Sequence, residues 1–256
     1  MTQDKKDRPE YQLPDIVDFD SQNLDDLPER KQLVEGILHE GDSLMIGGDE
    51  YIRKSFMLME LAQALVSGGT WMGSRVERSN VLFMNTHLKV DESYRRYMSI
   101  HKKLNAKNME NYYVVHFSVD DKENTGMFWI KFERVVNDLD VSNDDKKFTV
   151  IVDDIDGLGF HSANEFLERY IRLFCGNEPS LVFATYYFKD EFHVPDSVIS
   201  INPYIGAAKD DRKGVTAAFA LRNLPPKQLM CGVFNYPVFS WKPAENHGDG
   251  IYGFAE

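Results

Sequence analysis

Residues 43–67 read SLMIGGDEYIRKSFMLMELAQALVS, and this stretch decides the fold. Its first five residues suit a buried strand, and its last fourteen repeat apolar side chains at the spacing of a helix. In the turn between them, Gly48, Lys54 and Ser55 fall on the phosphate-loop pattern G-x-x-x-x-G-K-[ST]. The pattern requires a strand before it and a helix after it, and the sequence predicts both.

The loop departs from the pattern at Arg53, which stands where the second glycine belongs. In such loops backbone N–H groups surround a phosphate, the lysine reaches the β and γ oxygens, and the serine binds Mg²⁺. Arg53 lacks the conformational freedom of glycine, and Asp49 and Glu50 add negative charge. A solvated turn is the alternative to an ATP site, whose candidate residues are Gly48, Arg53, Lys54, Ser55 and Phe56.

Strands about 30 residues apart with helices between them predict a parallel sheet covered on both faces. The predicted strands are Ser43–Gly47, Asn80–Asn85, Tyr112–Phe117, Phe148–Asp153 and Ser180–Thr185. The predicted helices are Lys54–Ser67, Asp91–Leu104, Met127–Leu139 and Ala163–Cys175. Shorter strands separated by turns then predict an antiparallel extension of one edge, at Val198–Ile201, Val215–Leu221, Leu229–Val233 and Val238–Trp241. The fold class is therefore α/β, with a mainly parallel central sheet flanked by helices and an antiparallel C-terminal extension.

A second acidic motif follows the strand FTVIVD, which ends at Asp153. A carboxylate at the carboxyl end of a central strand lies beside the phosphate loop, where Asp153 and Ser55 could share Mg²⁺. Crowding by Asp154 and Asp156 favours a nearby cation. An aspartate that only caps a turn is the alternative.

The segments Leu33–Asp42 and Leu61–Gly73, on either side of the loop, resemble the opening of the RepA-like branch of RecA-fold ATPases. The resemblance extends in order and spacing over about residues 30–185. It implies a RecA-like P-loop domain of AAA type, ATP with Mg²⁺, a hexameric ring, and helicase or replication-associated work on plasmids and phages.

The resembled family also has catalytic groups that this chain lacks or replaces. A glutamate after the second strand polarises the attacking water in that family, whereas this chain has His87 near that position. His87 and Asp154 are the candidate catalytic residues, and a histidine bonded to a neighbour is the alternative for the former. Tyr186 and Tyr187 stand where the family has polar sensor residues. We therefore expect hydrolysis to be weak or absent.

The amino-acid composition of the chain limits the nucleic-acid and membrane partners that it can have. The chain has 256 residues, with 29 Lys and Arg against 41 Asp and Glu, and its net charge of −12 argues against a bulk nucleic-acid coat protein. A local basic stretch with Lys209, Arg212 and Lys213 is the candidate contact for single-stranded DNA. The absence of a long apolar run, the polar first ten residues and two cysteines without CxxC spacing predict a cytoplasmic protein with no membrane partner.

The sequence thus predicts an acidic, loosely ordered arm over residues 1–30, a RecA-like P-loop domain over 31–242 and a flexible tail over 243–256. The leading hypothesis is an ATP-binding RepA-like protein associated with DNA replication or mobile-element maintenance, with replication proteins as further partners and a homo-oligomeric ring. The alternative is an inactive pseudo-ATPase that serves as a regulatory or protein- or DNA-interaction module.

Overall fold

A computed structural model describes the chain in nine stretches, and all structural statements concern these alone. They are residues 29–106, 110–117, 125–141, 147–160, 162–174, 179–186, 195–203, 214–247 and 251–253. The chain divides into two units, residues 1–30 and 31–256. Only Glu29 and Arg30 of the first unit are described, so the architecture below is that of the second.

Nine strands form the main sheet, in the order β13-β12-β11-β10-β3-β9-β8-β6-β7. They are β3 (Ser43–Gly47), β6 (Asn80–Asn85), β7 (Tyr112–His116), β8 (Phe148–Asp153), β9 (Ser180–Thr185), β10 (Ser197–Pro203), β11 (Gly214–Leu221), β12 (Met230–Asn235) and β13 (Val238–Pro243). The six strands from β10 to β7 are mutually parallel, whereas β11, β12 and β13 continue the sheet antiparallel. The predicted α/β class and its antiparallel extension are confirmed. One detail differs: β10, predicted within the antiparallel group, runs parallel to β3, because Ser197–Ser200 pair in step with Leu44–Gly47.

Four helices cover this sheet: α1 (Lys54–Ser67), α2 (Val90–Leu104), α3 (Thr125–Leu139) and α4 (Ala163–Phe174). Alternate residues of each central strand enter separate apolar cores, as the period of two requires. Leu44 and Ile46 pack with α1 on one face, whereas Met45 packs with α3 and α4 on the other. Both faces are therefore buried. None of these helices has the length and apolar character needed to cross a bilayer.

The sequence did not reveal a second, four-stranded antiparallel sheet with the order β2-β1-β5-β4. Its strands have only two or three residues: β1 (Gln32–Val34), β2 (Leu38–His39), β4 (Gly69–Trp71) and β5 (Ser74–Val76). The Trp71 indole N–H donates to the Met57 carbonyl of α1 at 3.1 Å. In the stretch expected to be a flexible tail, β14 (Glu245–His247) pairs antiparallel with β15 (Ile251–Gly253).

The topology brings the predicted site residues to one edge. Parallel strands β3, β6, β8 and β9 end together, which places Gly47, Asn85, Asp153 and Thr185 at the same side of the sheet. Ligands of open α/β sheets bind beyond the carboxyl ends of the strands, at such an edge.

Candidate nucleotide-binding site

The loop between β3 and α1 contains a short 3-10 turn, Glu50–Ile52. Its entry is tight at Gly48, where a Cβ atom would lie 2.4 Å from the Ile201 carbonyl oxygen and 2.2 Å from Ile52 Cδ1. Only glycine fits there, because contacts below 3 Å with backbone are not tolerated. Ile52 is buried and Tyr51 is exposed. The loop is therefore fixed at its base against β10.

Arg53 takes the left-handed backbone conformation, with φ 64° and ψ 38°. Glycine adopts these angles freely, whereas other residues lose about 1–2 kcal/mol in them. The preceding 3-10 turn followed by a left-handed residue gives the alternation in which successive N–H groups converge on an anion. Arg53 thus has a backbone conformation that glycine adopts freely and other residues rarely take.

The Arg53 side chain reaches the C-terminal half of the sheet. Its Cζ lies 4.7 Å from the centre of the Phe234 ring, on β12. A cation over an aromatic face contributes about 0.5–2 kcal/mol, which is comparable to the cost of the left-handed conformation.

Lys54 is bound to its own loop. Its Nζ donates to the carbonyl oxygens of Gly48 at 2.5 Å and Asp49 at 2.8 Å, and lies 3.9 Å from the centre of the Tyr186 ring. Burial lowers the pKa of Lys54 to about 8, against the opposing effect of nearby carboxylates, chiefly Asp154. A phosphate oxygen would give this ammonium a charged partner in place of two neutral carbonyls.

Ser55 and Asp153, predicted to share a metal ion, are in direct contact. Ser55 Oγ donates to Asp153 Oδ1 at 2.9 Å, and Asp153 is 2% exposed. Burial raises the pKa of Asp153 to about 6, and the adjacent carboxylate of Asp154 adds to the rise. Asp153 Oδ2 is buried with no hydrogen-bond partner in the described part of the chain.

These donors fit Mg²⁺. It prefers oxygen ligands, and at phosphate-transfer sites it takes one or two from protein and the rest from water and phosphate. The hydroxyl of Ser55 and the unpartnered oxygen of Asp153 match that requirement. Across the described stretches, no group of three His, Cys, Asp or Glu side chains forms a metal site from protein ligands alone.

The two predicted catalytic residues are bonded to each other. His87 Nε2 lies 2.9 Å from each carboxylate oxygen of Asp154, and Asp154 also accepts from the Gly157 N–H at 2.7 Å. Tyr186 contributes another side-chain hydrogen bond to Asp154. Burial raises the pKa of Asp154, but these hydrogen bonds and the charge of His87 outweigh it and leave the pKa below its usual value. Asp154 is thus an ionised carboxylate that holds the His87 ring, an arrangement found both for catalytic histidines and for purely structural ones.

Asp156 joins the end of β9 to the turn after β8. Its carboxylate accepts from the Thr185 hydroxyl at 3.2 Å and from the Tyr186 N–H at 2.6 Å. Burial raises the pKa of Asp156. The third acidic residue of this cluster therefore holds Tyr186 beside Lys54.

Phe56 packs among aromatic and basic side chains. Its ring centre lies 5.0 Å from Phe234 and 5.8 Å from Tyr236, and Arg96 Cζ lies 5.1 Å above it. Sequence reasoning missed Arg96, Phe234 and Tyr236. No local pattern links helix α2 or strand β12 to the loop. Arg96 is also ion-paired with Glu92 on the same helix.

The predicted nucleic-acid contacts Lys209, Arg212 and Lys213 lie outside the described residues, as do Tyr187 and Cys175. Cys231 is a free, buried thiol.

Comparisons agree with the P-loop interpretation. The sequence matches the AAA domain family over residues 7–163, a range that includes the loop, His87, Asp153 and Asp154. No curated protein matches the chain. A crystal structure of a KaiC-like protein from the hyperthermophilic archaeon Pyrococcus horikoshii OT3 aligns with a TM-score of 0.54 at 13% identity, covering 84% of this chain and 99% of that one. At this identity the likeness shows the fold alone, and that fold is the RecA-like one predicted.

Proposed function

Because the chain belongs to the AAA domain family, we propose that it binds ATP with Mg²⁺ between the phosphate loop and the end of β8. The single observation that supports this most is the 2.9 Å bond from Ser55 to Asp153, with Asp153 Oδ2 buried and unpartnered beside it. A buried carboxylate oxygen without a hydrogen-bond partner in the protein is unfavourable, and a metal ion or its water shell would relieve this cost.

In this proposal, the loop residues and Asp153 have separate roles in nucleotide binding. Backbone N–H groups at Arg53, Lys54 and Ser55 face the phosphates, and Lys54 leaves its two carbonyl partners for phosphate oxygens. Ser55 and Asp153 hold Mg²⁺, directly or through water. When bound, Mg²⁺ supplies positive charge beside the β and γ oxygens.

The finer identity is also a proposal: a RepA-like protein of DNA replication or mobile-element maintenance, cytoplasmic and assembled as a homo-oligomeric ring. It is supported by the resemblance of the segments Leu33–Asp42 and Leu61–Gly73 to the RepA-like opening. Single-stranded DNA would be bound through Lys209, Arg212 and Lys213, or replication proteins would be the partners.

A second candidate function is a pseudo-ATPase that binds nucleotide as a regulatory or interaction module without turnover. Three observations favour it: Asp154 has its oxygens occupied by bonds, His87 is one of its donors, and Lys54 is turned onto its own loop. Asp154 therefore accepts hydrogen bonds from protein groups, which leaves it poorly placed to polarise a water molecule. Release of phosphate from ATP, measured with and without single-stranded DNA, distinguishes the two functions.

The test of binding is thermal. At a Mg-ATP concentration near 100 times Kd, the melting temperature should rise by roughly 5–10 °C, since mass action then adds about 2.7 kcal/mol. K54A should abolish the rise, and S55A should abolish its dependence on Mg²⁺.

The matched control is S99A, which removes a serine hydroxyl from α2 that bonds only locally, to the Arg95 carbonyl. It should keep the full shift. A wild-type protein with no shift at millimolar Mg-ATP would end the binding proposal, and equal shifts in K54A and wild type would move the site elsewhere.

A further inference from the structure

We propose that Phe234 is a positioning residue for the phosphate loop, which acts by holding the Arg53 guanidinium and thereby the left-handed backbone at Arg53. This proposal rests on the proposed nucleotide site, and it assigns to a C-terminal strand a part in binding that the loop motif does not suggest.

The left-handed backbone of Arg53 has to be maintained by its surroundings. A left-handed residue other than glycine persists only where its surroundings determine it. Arg53 has this conformation between the buried residues Ile52 and Lys54. Its N–H belongs to the anion-facing part of the loop, so relaxation to an ordinary φ would turn the N–H groups apart.

The side chain of Arg53 contacts a strand far away in the sequence. Arg53 extends to β12, where its Cζ lies 4.7 Å from the centre of the Phe234 ring. Phe234 is itself fixed, since its ring packs at 5.0 Å against Phe56 and at 4.9 Å against Phe239. The guanidinium thus lies against a rigid, largely buried ring.

Glycine and alanine at position 53 would each affect the loop differently from arginine. Glycine would allow the same φ without any tether, whereas alanine would keep the strain and lose the contact. Arginine differs from both, because its own side chain provides the fixation. The β12 contact thus replaces the freedom of the missing glycine, and the loop depends on a residue far away in sequence.

A double-mutant cycle on Mg-ATP affinity tests the proposal. F234L should weaken binding about tenfold, which corresponds to about 1.4 kcal/mol. The same change in the R53G background should weaken it by less than about twofold, since glycine needs no tether. R53G alone should stay within about threefold of wild type, and R53A should bind more weakly than R53G.

F148L is the control for loss of an aromatic ring, because Phe148 is buried at the opposite end of β8 from Asp153. It should leave affinity unchanged. Additive effects of R53G and F234L, or equal affinities of R53A and R53G, would overturn the proposal.

A second measurement needs no nucleotide. Hydrogen exchange of the loop peptide spanning residues 48–56 should be faster in F234L than in wild type and F148L, and R53G/F234L should match R53G. If wild type fails to bind Mg-ATP while F234L still loosens the loop, the nucleotide proposal fails and the tether survives. If the exchange is unchanged in F234L, the tether itself is absent.

Discussion

The buried environment of Asp153 disfavours the charged form of its carboxylate. Burial, aided by Asp154, raises its pKa from 3.8 to about 6. A displacement of this size corresponds to on the order of 3 kcal/mol of stability lost on ionisation. A residue that weakens the ligand-free fold while contributing to the proposed metal site is consistent with selection for binding over stability.

We therefore predict that D153N stabilises the ligand-free protein. Since the folded pKa lies above the unfolded one, wild-type stability falls as pH rises from about 3.8 through 6, whereas the amide does not titrate. The gain in melting temperature of D153N over wild type should grow across that window and stay level at pH 7–8, and asparagine can still accept from Ser55. Thermal melts from pH 4 to 8 check this, and the variant should lose the Mg²⁺-dependent ATP shift. A destabilised D153N at pH 7.5 would contradict the account.

The loop shows what the sequence could predict at the scale of residues. Gly48, Lys54, Ser55 and Asp153 were identified from spacing, and the structure brings them together at one edge. The contact of Arg53 with Phe234 was not predictable, because no local pattern connects β12 to the loop.

Helix α1 is buried nearly all round, from Lys54 to Val66, and carries polar residues into the core. Glu60 is 7% exposed and accepts from the Phe239 N–H at 2.7 Å. Burial raises its pKa to about 8, with this hydrogen bond opposing the rise. The helix thus joins the phosphate loop to β13 through a carboxyl group that is mostly protonated at neutral pH.

We predict that E60Q removes a pH dependence of stability. The folded pKa again exceeds the unfolded value of 4.5, so the wild type loses stability between about pH 4.5 and 8 and is level above. E60Q keeps the acceptor for Phe239 and should become more stable than wild type by several kcal/mol at pH 9, with the difference growing across the window. Chemical denaturation at pH 5, 7 and 9 measures this. E77Q, at a half-exposed position, is the control and should differ from wild type by less than about 0.5 kcal/mol at each pH.

The turn after β8 is built around the absence of a side chain at Gly157. A Cβ there would lie 2.6 Å from both His87 Nε2 and Thr86 Oγ1. G157A should therefore push His87 off Asp154 and destabilise the protein by about 1–3 kcal/mol. Nitrogen NMR shifts of the His87 ring report its protonation and the contact of Nε2 with Asp154. D154N should alter the same His87 signals. Unchanged His87 shifts in G157A would contradict the prediction, because they would show that the added methyl group does not displace the ring.

At the scale of elements, long periodic segments were predictable and short ones were not. The five strands that were predicted to be parallel and the four described helices lie within two residues of their predicted ends, because each combines an apolar run with a turn signal. The strands β1, β2, β4 and β5 were missed, since two or three residues carry no periodicity and pair only through the tertiary fold.

In the unit spanning residues 31–256, two halves of one sheet contribute differently to the site. The parallel half provides the loop, Asp153 and Asp154, as expected for carboxyl ends of neighbouring strands. The parallel strand β10 approaches Gly48 through Ile201, and the antiparallel half contacts Arg53 through Phe234. Under the proposed role of Phe234, the sheet extension restrains the loop at the position where the phosphate-loop pattern has its second glycine.

The whole chain carries a net charge of −12, so any binding to single-stranded DNA must come from a local cluster that overcomes general repulsion. If Lys209, Arg212 and Lys213 contact three phosphates, the logarithm of the association constant should fall against the logarithm of salt with a slope of about −2. K209A/R212A/K213A should bind a fluorescent oligothymidylate at least about tenfold more weakly at 50 mM salt and flatten that slope.

The control K89A/K102A/K103A removes three exposed cations of the α2 region and gives the same net charge. Equal losses in both triple variants would mean that overall charge alone governs binding, because the local cluster would then carry no special contacts. A wild-type protein that does not bind at low salt would end the DNA proposal while leaving the nucleotide site to its own tests.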